Sequence, residues 1–122
     1  MPWPKLAFET IRNGDQVGLA VTGELDLATG PSLEQAALAL LAGHPGLLVL
    51  DLRKVTFCDS SGIASLLRIE RAARRTDSRL QLRNVHGLVR QVLDLGGVSD
   101  FLGVPDDPPP RQPEGLAPPP TP

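Results

Sequence analysis

The chain is poor in aromatic residues. One tryptophan, three phenylalanines and no tyrosine occur in 122 residues, at Trp3, Phe8, Phe57 and Phe101. A core built from this sequence must therefore be aliphatic, of Leu, Val, Ile and Ala. Cysteine is scarcer still. Cys58 stands alone, which excludes an internal disulfide and any cysteine-based zinc site. Charge of one sign is also missing: 12 basic residues face 14 acidic ones, for a net charge of -2. Nucleic-acid binding calls for a basic patch that this balance does not favour. No apolar run is long enough to span a membrane, so no membrane insertion is expected. The opening MPWPKLAFETIR lacks the apolar core of a signal peptide, and the expectation is a cytoplasmic protein.

What is present is a pattern for one small domain. KLAFETIR alternates, with Leu6, Phe8 and Thr10 on one face, and QVGLAVTGELD alternates through Val17, Leu19 and Val21. Asn13-Gly14-Asp15 between them is a hairpin signal, because Asn and Gly accept positive φ. Leu33, Ala36, Ala37, Leu40 and Leu41 then form a helical stripe, with Pro31 in its first turn, Gly43 at its end and Pro45 beyond. GLLVLDL reads as an inner strand covered on both faces. Asp59 to Arg75 reads as a helix with Ile63, Leu66 and Leu67 inward and Arg68, Arg71, Arg74 and Arg75 outward. RLQLRNV supplies a further strand. LVRQVLDLGG supplies a last helix closed by Gly96 and Gly97, and VSDFLGV a short edge element. The order β-β-α-β-α-β-α implies an α/β domain with a small mixed β-sheet and packed helices. The domain is expected over 1–104. From Pro105 to Pro122 half the residues are proline, which fits neither helix nor inner strand, so 105–122 is expected to be a disordered proline-rich tail.

Sites in such folds collect where strands end and helices begin. Two loops qualify: Gly23 to Gly30, containing GELD, and CDSSG before the second long helix. Neither phosphate-loop pattern, GxxxxGK[ST] or GxGxxG, occurs, nor does the GxSxG nucleophile elbow. A Ser60–His86–Asp triad has nothing beyond spacing to recommend it. Glu24, Asp26 and Asp59 should gather at one end of the sheet, where they make a thin metal site and good turn and cap residues. No cofactor is implied. For DSSG a plain structural account exists: Asp59 or Ser60 caps the helix, and Gly62 lets another backbone come close. Two consecutive serines exceed what a cap needs, and GELD should lie beside them.

GELDLAT, LLVLDLRKVTFCDSSGIASLL and the closing VRQVLDLGGV together resemble the anti-sigma factor antagonist family, single STAS domains of bacterial partner-switching systems. The resemblance covers about Leu6 to Val104. It implies that Ser60 is a phosphoryl acceptor, with Ser61 as a second site or a helix-start cap. It implies an anti-sigma factor serine kinase as the partner that binds the unphosphorylated form, and a serine phosphatase that restores it. Glu24, Asp26, Asp59, Ser61, Gly62, Ala64 and Arg68 are the expected partner-binding residues, with Asp26 and Asp59 orienting the acceptor hydroxyl and the small residues allowing close approach. The chain would be a kinase substrate, not an enzyme, and a monomer on its own. Two alternatives within the fold are a non-phosphorylated scaffold subunit, as in a lipid-transport ATPase, and a small-ligand-binding module. Thr76 to Ser78 depart from the family, where a glycine pair is common, and Cys58 replaces a usual apolar residue.

Overall fold

The computed structural model describes residues 5–95. The expected elements at Gly96, Gly97 and 98–104, and the proline-rich segment 105–122, lie outside them. Seven elements follow in order: β1 (Leu6–Asn13), β2 (Gln16–Leu25), α1 (Gly30–Leu41), β3 (Leu47–Cys58), α2 (Ser60–Arg75), β4 (Arg79–Arg83) and α3 (Gly87–Leu95). This is the order anticipated from the sequence. The sheet runs β1-β2-β3-β4. β1 and β2 form the hairpin and are antiparallel, whereas β2/β3 and β3/β4 are parallel. The sheet is thus mixed, and helices make the crossovers between its parallel strands.

The core is aliphatic. Leu19, Leu25, Leu33, Leu41, Leu48, Leu50, Leu52, Leu66, Ile69, Leu82 and Leu93 are fully buried. Each such side chain contributes about 1.5–3 kcal/mol relative to exposure. α1 packs against β2 and β3, α2 against β3 and β4, and the two helices against each other.

Several local expectations are corrected. β1 has no buried face; of its apolar residues only Leu6 packs against the core, while Phe8 is 36% exposed. It is the outermost strand, beyond the reach of the helix layer. In the hairpin only Gly14 takes positive φ (63°), while Asn13 pairs with Gln16 as the last rung. β3 continues past the apolar run to Cys58, because β2 supplies partners through Leu25. Register shifts in β2/β3 at Ala20/Thr22 and Gly23/Glu24 accompany that extension. Its coverage on both faces holds only for Leu48, Val49 and Leu50. Beyond α1 the left-handed residue is His44 (φ 54°), not Gly43.

Candidate functional site

The C-terminal ends of β2 and β3 meet on a common rung, Leu25 opposite Cys58. One residue on, the Asp59 amide donates to the Leu25 carbonyl (3.3 Å). The two loops singled out in the sequence therefore leave the sheet side by side.

The first loop is organised by Asp26. Its Oδ1 accepts from the amides of Ala28 and Thr29, 3.0 Å each, and from the Thr29 hydroxyl at 3.1 Å. The Thr29 hydroxyl also donates to the Glu24 carbonyl (2.8 Å), and the Gly30 amide to the Asp26 carbonyl (2.8 Å). Partial burial pushes the Asp26 carboxyl up. The Thr29 bonds, the Ala28 amide and the Lys5 charge outweigh it and hold the group below its ordinary value. Asp26 thus shapes its own loop through Oδ1. Glu24 is exposed on the last stretch of β2, paired in register with Phe57.

The second loop begins α2. Asp59 has an extended backbone (φ -109°, ψ -171°), and its Oδ1 accepts from the Gly62 amide at 3.0 Å. This is an N-cap. Ser61, expected as a helix-start cap, is instead the second helical residue. A cap residue needs a non-helical backbone, and Asp59 has it. The hydroxyls of Ser60 and Ser61, and their two amides, take no hydrogen bond among the described residues. Ser60 is exposed and Ser61 half-buried. Free amides at a helix start, with the positive end of the helix dipole, favour an anion there.

Gly62 was expected to contact a partner, and the structure buries it instead. A Cβ at this position would lie 2.6 Å from the Leu25 carbonyl oxygen and 2.9 Å from both Cys58 Sγ and Leu25 Cγ. Its bareness lets the first turn of α2 rest on the end of β2, as the plain structural account of DSSG anticipated. The small residues of α2 serve an approach within the chain. Ser65, on the next turn, is buried, and a Cβ on Gly30 of α1 would collide with its hydroxyl. Ala64 is half-buried.

Arg68 is exposed but already engaged, its Nε donating to Glu34 Oε1 at 2.9 Å. The Ser65 hydroxyl donates to Glu34 Oε2 at 2.8 Å. Glu34, which sequence reasoning missed, therefore ties α1 to α2. The Arg68 hydrogen bond, aided by the Ser65 hydroxyl and opposed by burial, holds its carboxyl below the ordinary range. The only signal in the sequence was that Ser65 and Arg68, three apart, share a helix face.

Two exposed apolar residues, which the sequence did not mark as part of the site, lie beside it. Leu27, between Asp26 and Ala28, is 78% exposed, and Phe57, just before Cys58, is 39% exposed. Both stand within two residues of the Leu25–Cys58 rung. A leucine in an otherwise polar loop was the available clue.

Cys58 is 2% exposed, as expected of a small buried hydrophobe. Burial, and secondarily the Asp59 charge, pushes its thiol up to about 11. The Ser60–His86 pair does not form. His86 Nε2 lies 2.6 Å from the Arg53 carbonyl oxygen, roughly 17 Å of strand short of Cys58. Among the described residues no group of three His, Cys, Asp or Glu side chains could hold a metal ion, and no helix is long and apolar enough to cross a membrane.

The chain is similar to known proteins. The anti-sigma-B factor antagonist of Staphylococcus epidermidis is 27% identical over 99 residues, 81% of this chain and 92% of that one. An anti-sigma factor antagonist of Mycobacterium paratuberculosis superposes with a TM-score of 0.73 at 25% identity, over 88% of this chain and 92% of its own. SpoIIAA, an anti-sigma factor antagonist and cell fate determinant of Bacillus, shares the fold in both its forms. The unphosphorylated form gives a TM-score of 0.68 at 20% identity, over 83% and 90% of the two chains. The phosphorylated form gives 0.61 at 19%, over 83% and 93%. A family model described as "Mlab, STAS domain" matches residues 8–104, from β1 past the last described helix. The chain belongs to the STAS domain family.

Proposed function

We propose that this protein is an anti-sigma factor antagonist whose Ser60 is the switch. In its unmodified form it binds an anti-sigma factor that is a serine kinase, and so releases the sigma factor. The kinase moves the γ-phosphoryl group of ATP to Ser60 Oγ, and the complex dissociates. A serine phosphatase reverses the step. The chain itself is a substrate and binding protein, not an enzyme.

One observation carries this reading. Ser60 presents an exposed hydroxyl with no internal partner at the first position of α2, directly after the Asp59 cap. That the Staphylococcus and Mycobacterium relatives are anti-sigma factor antagonists supports the antagonist role. Exposed Leu27 and Phe57 beside the turn fit apolar anchoring of a partner.

The physics of the switch follows. A phosphate adds about -1.5 to -2 charges and meets the unbonded Ser60 and Ser61 amides, so the fold tolerates it. Partner binding does not, because a bulky, strongly hydrated anion would have to be desolvated where the partner packs against this turn. A penalty of about 1.4 kcal/mol lowers affinity tenfold. The test is incubation with an anti-sigma factor kinase and ATP, followed by mapping of the phosphate. Incorporation at Ser60, lost in Ser60→Ala, and at least tenfold weaker kinase binding by Ser60→Asp, are expected. Phosphate on Ser61 alone, or a Ser60→Asp variant that binds like wild type, overturns the reading. A scaffold or ligand-binding role predicts neither labelling nor a binding change.

A further inference from the structure

Among the described residues β1 is an uncovered sheet edge. It is the outermost strand, runs from Leu6 to Asn13, and pairs with β2 without a register shift. It contains no proline and, Leu6 apart, is exposed along its length. Natural edge strands are usually blunted by shortness, proline, bulges or charged side chains. Here only charge is present, at Glu9 and Arg12, and apolar Ile11 is 53% exposed.

The register determines which groups are on offer. Asn13 and Gln16 close a two-residue hairpin, and the Glu24 amide donates to the Lys5 carbonyl (2.9 Å) at the other end. Odd-numbered residues of β1 therefore bond to β2. The N–H and C=O groups of Leu6, Phe8, Thr10 and Arg12 point away from the sheet. Those four residues also share one face, because direct neighbours across a strand pair point the same way. Phe8 lies opposite Val21, and Arg12 opposite Val17, on the helix-bearing side.

We propose that this edge pairs with the β1 edge of a second copy of the chain, antiparallel about a two-fold axis at Thr10, joining two four-stranded sheets into one. The choice of occupant rests on self-complementarity. With the axis at Thr10, Phe8 faces Arg12 of the other copy twice, a cation–π arrangement. Thr10 faces Thr10, and Glu9 faces Ile11. Moving the axis to Glu9 would set two carboxylates directly opposite each other, which is destabilising. Moving it to Phe8 or Ile11 shortens the overlap. The Thr10 register supplies about six new backbone hydrogen bonds, two for each outward-bonding pair. This replaces the monomer expected from the sequence, and it stands apart from the assignment of Ser60.

Sedimentation velocity on the full chain, from micromolar to submillimolar concentration, tests it. A concentration-dependent dimer is expected. Thr10→Pro removes an outward N–H without touching a bond to β2, and should weaken the dimer at least tenfold while circular dichroism and Tm stay near wild type. Should that variant misfold, cysteine cross-linking decides. H-bonded antiparallel pairs hold their Cα atoms about 5.5 Å apart, within disulfide range. Oxidised Thr10→Cys should therefore form a covalent dimer and Arg12→Cys should not, with buried Cys58 silent in both. A protein that stays monomeric throughout, a dimer that survives Thr10→Pro in a folded variant, or equal cross-linking at both positions, overturns the proposal.

Discussion

Adding one methyl group at Gly62 tests whether the acceptor turn is built on the end of β2. In Gly62→Ala the new carbon arrives 2.6 Å from the Leu25 carbonyl oxygen and 2.9 Å from Cys58 Sγ. Neither neighbour can give way easily. The first is backbone, fixed by the Asp59 amide, and the second is buried in the core. α2 must therefore lift away by several tenths of an ångström. Overpacking of this kind costs about 1–3 kcal/mol. Against it stands the helix preference of alanine over glycine, about 1 kcal/mol in a helix interior and less in a first turn. The net expectation is a loss of about 1–2 kcal/mol. For a domain near 100 residues, each 1 kcal/mol lowers Tm by about 4–8 °C. Urea denaturation and thermal melting read the loss directly. A Gly62→Ala protein as stable as wild type, or more so, would refute the claim that this turn is packed from below.

Two further perturbations follow. The Glu34 carboxyl titrates below its ordinary value of 4.5, so its contribution to stability is full above that value and is lost as pH falls through the lowered one. Tm measured from pH 6 down to pH 3 should fall more steeply in wild type than in Glu34→Gln, and equal slopes would contradict the Ser65–Glu34–Arg68 link. The Cys58 thiol, buried and pushed up to about 11, should resist thiol reagents in the native protein at pH 8 and react only as urea unfolds it. Rapid native labelling would mean that the Leu25–Cys58 rung opens freely.

The element order was legible because each element carries its own period: two for Val17, Leu19 and Val21, and the helical spacing for Leu33, Ala37 and Leu41. The position of DSSG at a strand–helix junction was legible for the same reason. The length of β3 was not. Arg53 and Lys54 end the apolar run, and only the partner strand β2 keeps the backbone extended to Cys58. The inward faces of Gly62 and Ser65 were equally hidden. Small residues look alike whether a helix of the same chain or a foreign protein comes close, and the difference lies with Leu25 and Gly30, more than thirty positions away. Glu34 escaped notice because its two partners sit on another helix. A cap at Asp59 or Ser60 was legible from local chemistry alone, since an N-cap is satisfied within its own turn, and the structure places it at Asp59.

The Leu25 carbonyl has a consequence for how such a domain can be rebuilt. That one oxygen accepts from the amide that opens the serine turn, and it is the nearest obstacle to any side chain at Gly62. It also belongs to the residue just before Asp26, which folds the other loop. The two loops are accordingly a single transplantable part. Moving DSSG alone onto another strand–helix junction would carry the letters of the motif without its floor, whereas a graft that includes GELDLAT and the closing rung of both strands would bring the geometry with it.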